Sequence, residues 1–147
     1  MKNLLILLLL TPFVLLSQNT SKAKKYYAKA IKFYQESNDK KAKELVQSAI
    51  QQDANYLPPY LLLGQLEEES GNIELAIYNY LKGISDNNPD NAWGYWKVGM
   101  LYMQMPNYVE AQRSFNHFLN FKYQKSKKIE SARKELKNCE FSIDAIA

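Results

Sequence analysis

Few side chains in this chain are of the types that do chemistry, and their spacing decides what they can do. Glu67, Glu68 and Glu69 place three carboxylates in a row, the groups that acid–base catalysis would use. On a helix of 3.6 residues per turn, neighbours project about 100° apart and do not face one another. The three therefore cannot converge on one substrate, and they read as a solvated acidic face. The one histidine, His117, has no second ligand near it in sequence, so a Cys/His metal site is unsupported. It reads as a partly exposed residue on a helix. Cys139 is the only cysteine, so no intramolecular disulfide can form. It lies on an apolar stripe, where a thiol is a buried packing group. The five glycines stand singly, and no glycine-rich phosphate loop exists. The sequence implies no cofactor and no metal, and it reads as a non-enzyme.

The 147 residues amount to one domain, with 46% hydrophobic and 23% charged residues, an ordinary globular composition. The unusual number is the aromatic content of 13%. The net charge of +4 is small but segregated along the chain. Lys22 to Lys43 is rich in lysine, Asp53 to Asp90 in acids, and Lys122 to Lys137 in basic residues. An acidic centre between basic ends could orient a charged partner. It would repel phosphate, so nucleic acid is not expected as a partner.

The first residues read as an export signal. Lys2 precedes an apolar run from Leu4 to Leu16, and Ser17 precedes a polar stretch. Thirteen residues as a helix span roughly 20 Å, short of a hydrocarbon core of ~30 Å, so a membrane anchor is the weaker reading. The expected signal peptide is 1–17, with the mature chain starting near Gln18. The expected location is outside the cytoplasm, periplasmic or associated with an outer membrane.

The remainder repeats. Ala30, Gly64 and Gly99 are 34 and 35 positions apart, and Ala42, Ala76 and Ala111 share the spacing. So do Tyr26, Tyr60 and Tyr95, and Val46, Tyr80 and Phe115. Each period reads as two helices. Tyr26, Ala30 and Phe33 mark one face of the first helix, and Ala42, Leu45, Val46, Ala49 and Ile50 that of the second. Ser37-Asn38-Asp39, Gly71-Asn72 and Pro106-Asn107 break the pattern at matching phase, with residue types that allow a left-handed turn or stop a helix.

These columns resemble the tetratricopeptide repeat over about residues 23–123. The second period shows Tyr60, Leu63 and Gly64, then Ala76, Tyr80 and Gly83, then Pro89. The third shows Tyr95, Val98, Gly99 and Tyr102, then Ala111 and Phe115. The first shows Ala30 and Phe33, then Ala42, Val46 and Ala49. Glu67 stands where the pattern has an aromatic, Lys29 where it has leucine, and Phe118 where it has a small residue. One extra residue precedes Pro89. The resemblance implies an all-α fold: a right-handed superhelix of three helix-turn-helix repeats (23–56, 57–91, 92–125) with a C-terminal capping helix (126–147). Small residues are expected where paired helices cross, with Tyr26, Phe33, Tyr60, Tyr80, Tyr95, Tyr102 and Phe115 in the core.

In the capping helix, Ile129, Ala132, Leu136, Cys139, Ile143 and Ile146 form one apolar stripe, and Phe118 is expected to pack on it. The stretch from Ala132 to Phe141 is also similar to the helix leaving the repeats in multidomain outer-membrane proteins of Bacteroidota. That resemblance implies work in the cell envelope, beside a secretion or gliding apparatus, with the chain read in the alternative as a truncated N-terminal part of such a multidomain protein.

A tetratricopeptide superhelix binds its partner on the concave face, built by the first helix of each pair. The off-core positions there are Tyr27, Ile31 and Tyr34, then Leu61, Gln65 and Glu68, then Trp93, Trp96, Met100 and Met103. The last four form a second apolar stripe, which needs a partner: the C-terminal helix, a neighbouring repeat or a bound peptide. Trp and Met are types expected at such a groove. The candidate binding residues are thus Tyr27, Tyr34, Gln65, Glu68, Trp93, Trp96, Met100 and Met103. The expected partner is a protein or peptide, with self-association into a homo-oligomer and a membrane-associated complex as the alternatives. Repeats of this type that clamp a chaperone's C-terminal carboxylate carry Lys, Asn and Arg on this face. Here Tyr27, Ile31, Leu62 and Trp93 occupy those places, and only Lys97 agrees, so that mode is not expected.

Overall fold

The computed structural model describes the backbone of residues 2–85, 89–121 and 127–146, and side chains from residue 19 onward in those ranges, residue 89 excepted. The expected signal peptide, residues 1–17, therefore lies outside the described side chains, as do Asp86, Asn87 and Asn88 of the second inter-repeat turn and Lys122 to Ser126. The helices are α1 (Lys2–Gln35), α2 (Asp39–Gln52), α3 (Pro58–Glu69), α4 (Ile73–Gly83), α5 (Trp93–Gln104), α6 (Tyr108–Asn120) and α7 (Lys127–Ile146), with a short 3-10 turn at Pro89–Asn91. No strand occurs among the described residues, and none of their helices is long and apolar enough to cross a membrane.

The turn inside each pair is built the same way three times. Asn38, Asn72 and Asn107 each donate a backbone bond of 2.9 Å to the carbonyl five residues back, on Phe33, Glu67 and Tyr102. The left-handed residues at the first two turns are Ser37 (φ 58°) and Gly71 (φ 77°), not the asparagines. The asparagine has a different task. Asn38 Oδ1 accepts from the Lys41 amide and Asn107 Oδ1 from the Glu110 amide, capping α2 and α6. Asn72 does not cap α4, and its amide instead donates to Glu67 Oε2 at 2.7 Å.

The repeating small residues set the helix crossings. A Cβ on Gly64 would lie 2.9 Å from Tyr80 Cδ1, and one on Gly99 would lie 2.6 Å from Phe115 Cε1. Tyr80 and Phe115 are fully buried, packed against the glycine of their own pair. The apolar clusters then straddle the repeats. Ala30, Ala42 and Val46 join Leu62, Leu63 and Leu66, while Leu61, Ala76, Ile77 and Tyr80 join Val98 and Leu101. Each pair thus buries its face on the first helix of the next.

The Tyr26 column departs from expectation. Tyr26 is exposed, and Tyr60 and Tyr95 are half-buried. Tyr60 turns its hydroxyl to the Ala54 carbonyl, and Tyr95 stacks on exposed His117. The core is filled by the Tyr80 and Phe115 column instead, because that column lies under the crossing glycines.

Helix α7 closes the last repeat. Ile129, Ala132 and Cys139 are buried against Ala111, Phe115 and Phe118. The expected stripe holds as far as Cys139. Beyond it Ile143 is half-buried and Ile146 exposed, because α7 runs on past the end of α6.

Candidate functional site

The first helices α1, α3 and α5 line an open groove of about 270 Å³. Tyr27 and Tyr34 come from α1, and Pro58, Leu61, Leu62 and Gln65 from α3. Trp93 comes from α5 and Asn91 from the 3-10 turn before it. A cavity of about 410 Å³ lies between Lys22, Lys25, Lys29, Tyr26 and Gln52, but α1 and α2 alone line it. Of these two, the smaller is shared by all three repeats.

Aromatic edges fix the walls. Tyr27 meets Tyr56 edge-on at 5.8 Å, and Trp93 meets the buried Tyr80 edge-on at 5.7 Å. Burial, and then the neighbouring Tyr56, raise the Tyr27 hydroxyl above its usual range, so it stays protonated.

A polar network closes one end. Gln65 Nε2 donates to the Tyr34 hydroxyl, which donates to Glu69 Oε1 at 2.6 Å. Burial, with this bond to Glu69, pushes the Tyr34 hydroxyl up to about 12. Next to it, Glu68 accepts from Lys97 Nζ on Oε1 at 2.8 Å and from the Tyr80 hydroxyl on Oε2 at 2.6 Å. The carboxylate run is therefore not a solvated face. Glu67 is 4% exposed and paired with Lys43, Glu68 is half-buried between α4 and α5, and only Glu69 is exposed. Their 100° separation sends each to a different helix.

Of the candidate residues, Tyr27, Tyr34, Gln65 and Trp93 line one cavity, and Glu68 adjoins it. Trp96, Met100 and Met103 pack instead on the cluster that holds α7. The Met103 sulfur lies 3.2 Å from the Cys139 sulfur. Lys128 of α7 sits over both indoles, 5.5 Å from the Trp93 ring centre and 5.4 Å from that of Trp96. The Trp/Met stripe is thus divided: Trp93 lines the cavity, while Trp96 and Met103 meet the C-terminal helix and Met100 packs in the same apolar cluster. Pro58, Asn91 and Glu69 were not foreseen as groove residues. Pro58 opens α3 and Asn91 ends the 3-10 turn before α5, places at the ends of elements that carry no periodic signal. The third was masked by its place in an acidic run. Among the described residues no cluster of three His, Cys, Asp or Glu side chains forms.

Three helix pairs of one period, joined by matching turns and closed by an extra helix, define an α-helical repeat superhelix. Its particular form is the tetratricopeptide-repeat fold. The Arabidopsis OM64 domain of this type superposes with a TM-score of 0.70 at 21% identity, over 82% of this chain and 98% of that one. The first such domain of Spaghetti (RPAP3), bound to an HSP90 peptide, gives 0.70 at 12% identity, over 82% and 95%. The Yersinia enterocolitica type III secretion chaperone SycD, with a peptide of the translocator YopD, gives 0.67 at 19%, over 80% and 92%. No family model matches the sequence, and no curated protein matches it.

Proposed function

We propose that this chain is a non-catalytic protein-interaction module that binds a peptide or protein segment in the groove of α1, α3 and α5. The observation that carries the reading is the cavity of about 270 Å³ shared by three consecutive first helices, with aromatic and aliphatic walls and a few amides. Two proteins of similar fold carry peptides, an HSP90 peptide in one and a YopD peptide in the other. The setting we propose is the bacterial cell envelope, reached by export on the signal of residues 1–17. A photo-crosslinking residue at Tyr27, compared with one at exposed Tyr78 of α4, tests the groove in cells. Adducts specific to position 27 support it. Identical adducts at both positions, or none at 27, would overturn it.

A second reading is self-association. Phe141 and Ile146 of α7 are 77% and 74% exposed, large apolar groups left in water. Sedimentation of the chain with and without Phe141→Ser tests it, a concentration-dependent dimer lost in the variant being the supporting result.

A further inference from the structure

We propose that the groove receives an extended apolar segment carrying a lysine or arginine, whose cation sits on Glu69, and that Glu68 turns acidic segments away by neutralising Lys97. The proposal rests on the groove reading above and names the partner's chemistry.

The walls set the apolar part. Leu61, Leu62 and Trp93 offer no charge, and Gln65 and Asn91 offer amides suited to a peptide backbone. None of the lining residues is charged; charges lie beside them, Lys128 over Trp93 on one side and Glu68, Glu69 and Lys97 beside Tyr34 on the other. Beside Tyr34, Lys97 is the one cation of the first helices bonded to the network among the described residues, and Glu68 holds it at 2.8 Å. Both Glu68 oxygens are occupied, by Lys97 and by Tyr80. Glu69 differs. Its Oε1 accepts from Tyr34 and Gln65, while its Oε2 makes no hydrogen bond among the described residues. Tyr34 and Gln65 hold the first oxygen of this exposed carboxylate, which leaves the second available to a ligand. Two carboxylates against one cation leave one uncompensated negative charge. Lys128, the other nearby cation, lies over Trp93 and Trp96 and keeps its charge there. A ligand carboxylate entering beside Tyr34 would meet two acids and a lysine already paired with one of them, whereas an ammonium or guanidinium would complete the network.

A degenerate library of blocked twelve-residue peptides, passed over the immobilised full chain and sequenced after elution, tests this. The expected captured set is aliphatic, with Lys or Arg favoured over Gln about threefold at one position and Asp or Glu disfavoured about threefold there. Glu69→Gln, an exposed change, should erase the preference while capture persists. Glu68→Gln should free Lys97 and shift the preference toward acids. Capture without charge preference, a preference for acids in the wild type, or a preference unchanged in Glu69→Gln overturns the proposal and leaves the groove reading standing. Failure of the wild type to capture any peptide overturns both. Helical circular dichroism of each variant confirms that it is folded.

Discussion

Lys43 of α2 reaches Glu67 of α3, Nζ to Oε1 at 2.8 Å, and ties the first repeat to the second. Glu67 occupies the place where the repeat pattern has an aromatic, and it is nearly as buried as a ring would be. Burial raises its carboxyl, but bonds from Lys43 and Asn72 and the Lys43 charge outweigh that and hold it below its ordinary 4.5. A lowered folded-state value means that the contribution is complete above the ordinary value and lost as pH falls through the lowered one. Lys43→Met is expected to cost about 2 kcal/mol at neutral pH, because it leaves a buried carboxylate one partner short. The deficit should close as pH falls through that lowered value and Glu67 becomes neutral in both proteins. Urea denaturation across this range measures it. A deficit that persists at low pH would assign the cost to the lysine's packing instead.

That pair also marks the limit of what the sequence discloses. The columns Ala30/Gly64/Gly99 and Val46/Tyr80/Phe115 were legible because a crossing admits few sizes and the constraint recurs in every repeat. Tyr27, Tyr34, Gln65 and Trp93 were legible as positions of the first helices not used by those columns. The Lys43–Glu67 and Glu68–Lys97 pairs were not, since each joins different repeats and occurs once, without periodic signal. The rest of the Trp/Met stripe was visible as a stripe. Whether α7 covered it depended on the path of the chain between α6 and α7, which no spacing encodes.

The glycines of the crossings and of the turns should respond differently to alanine. At Gly99 the added Cβ meets the ring of fully buried Phe115 at 2.6 Å, and that ring has nowhere to go. Gly99→Ala should cost about 2 kcal/mol by overpacking. At Gly71 nothing lies within 4 Å, and only φ of +77° opposes the change. Gly71→Ala should cost about 1 kcal/mol. Phe115→Leu in the Gly99→Ala background should recover part of the loss, while in the Gly71→Ala background it should only add to it. Thermal denaturation of the four variants decides this.

Cys139 should be chemically silent in the folded chain. Burial, and then the charges of Glu135 and Glu140, raise its thiol above the ordinary range. The side chain is fully buried against Met103. A thiol-specific disulfide reagent at mildly alkaline pH should leave it unmodified, and urea should make it react at once. Rapid labelling of the native protein would mean that α7 detaches from α5 and α6.

Alkaline pH should destabilise the fold through Tyr34 and Tyr80. Tyr34 is pushed up to about 12, by burial first and then by its bond to Glu69. Tyr80 is raised further still, by burial and by its bond to Glu68. A folded-state value above the unfolded one means that stability is complete below pH 10.0 and is lost as pH rises through the folded value. Absorbance at the phenolate band should therefore show a delayed titration in the native chain. In Tyr34→Phe, the part of the delay that lies near 12 should vanish.

Trp93 and Trp96 lie one turn apart on α5, yet the structure gives them different work. Trp96 packs in the cluster of Phe115, Phe118 and α7, and Met103 of the same stripe touches Cys139. Substituting these two should therefore act on the cap. Met103→Ala is expected to cost about 2 kcal/mol and Trp96→Ala about 3 kcal/mol, the scale of large-to-small changes in a packed region. Both variants should expose the Cys139 thiol to labelling before global unfolding, because the cap loosens first. Trp93 faces the cavity and leans on Tyr80, so Trp93→Ala should leave Cys139 as protected as in the wild type. Labelling kinetics against urea, run in parallel on the three variants, separate the two roles. Early exposure of Cys139 in Trp93→Ala would show that the groove and the cap are one structural unit.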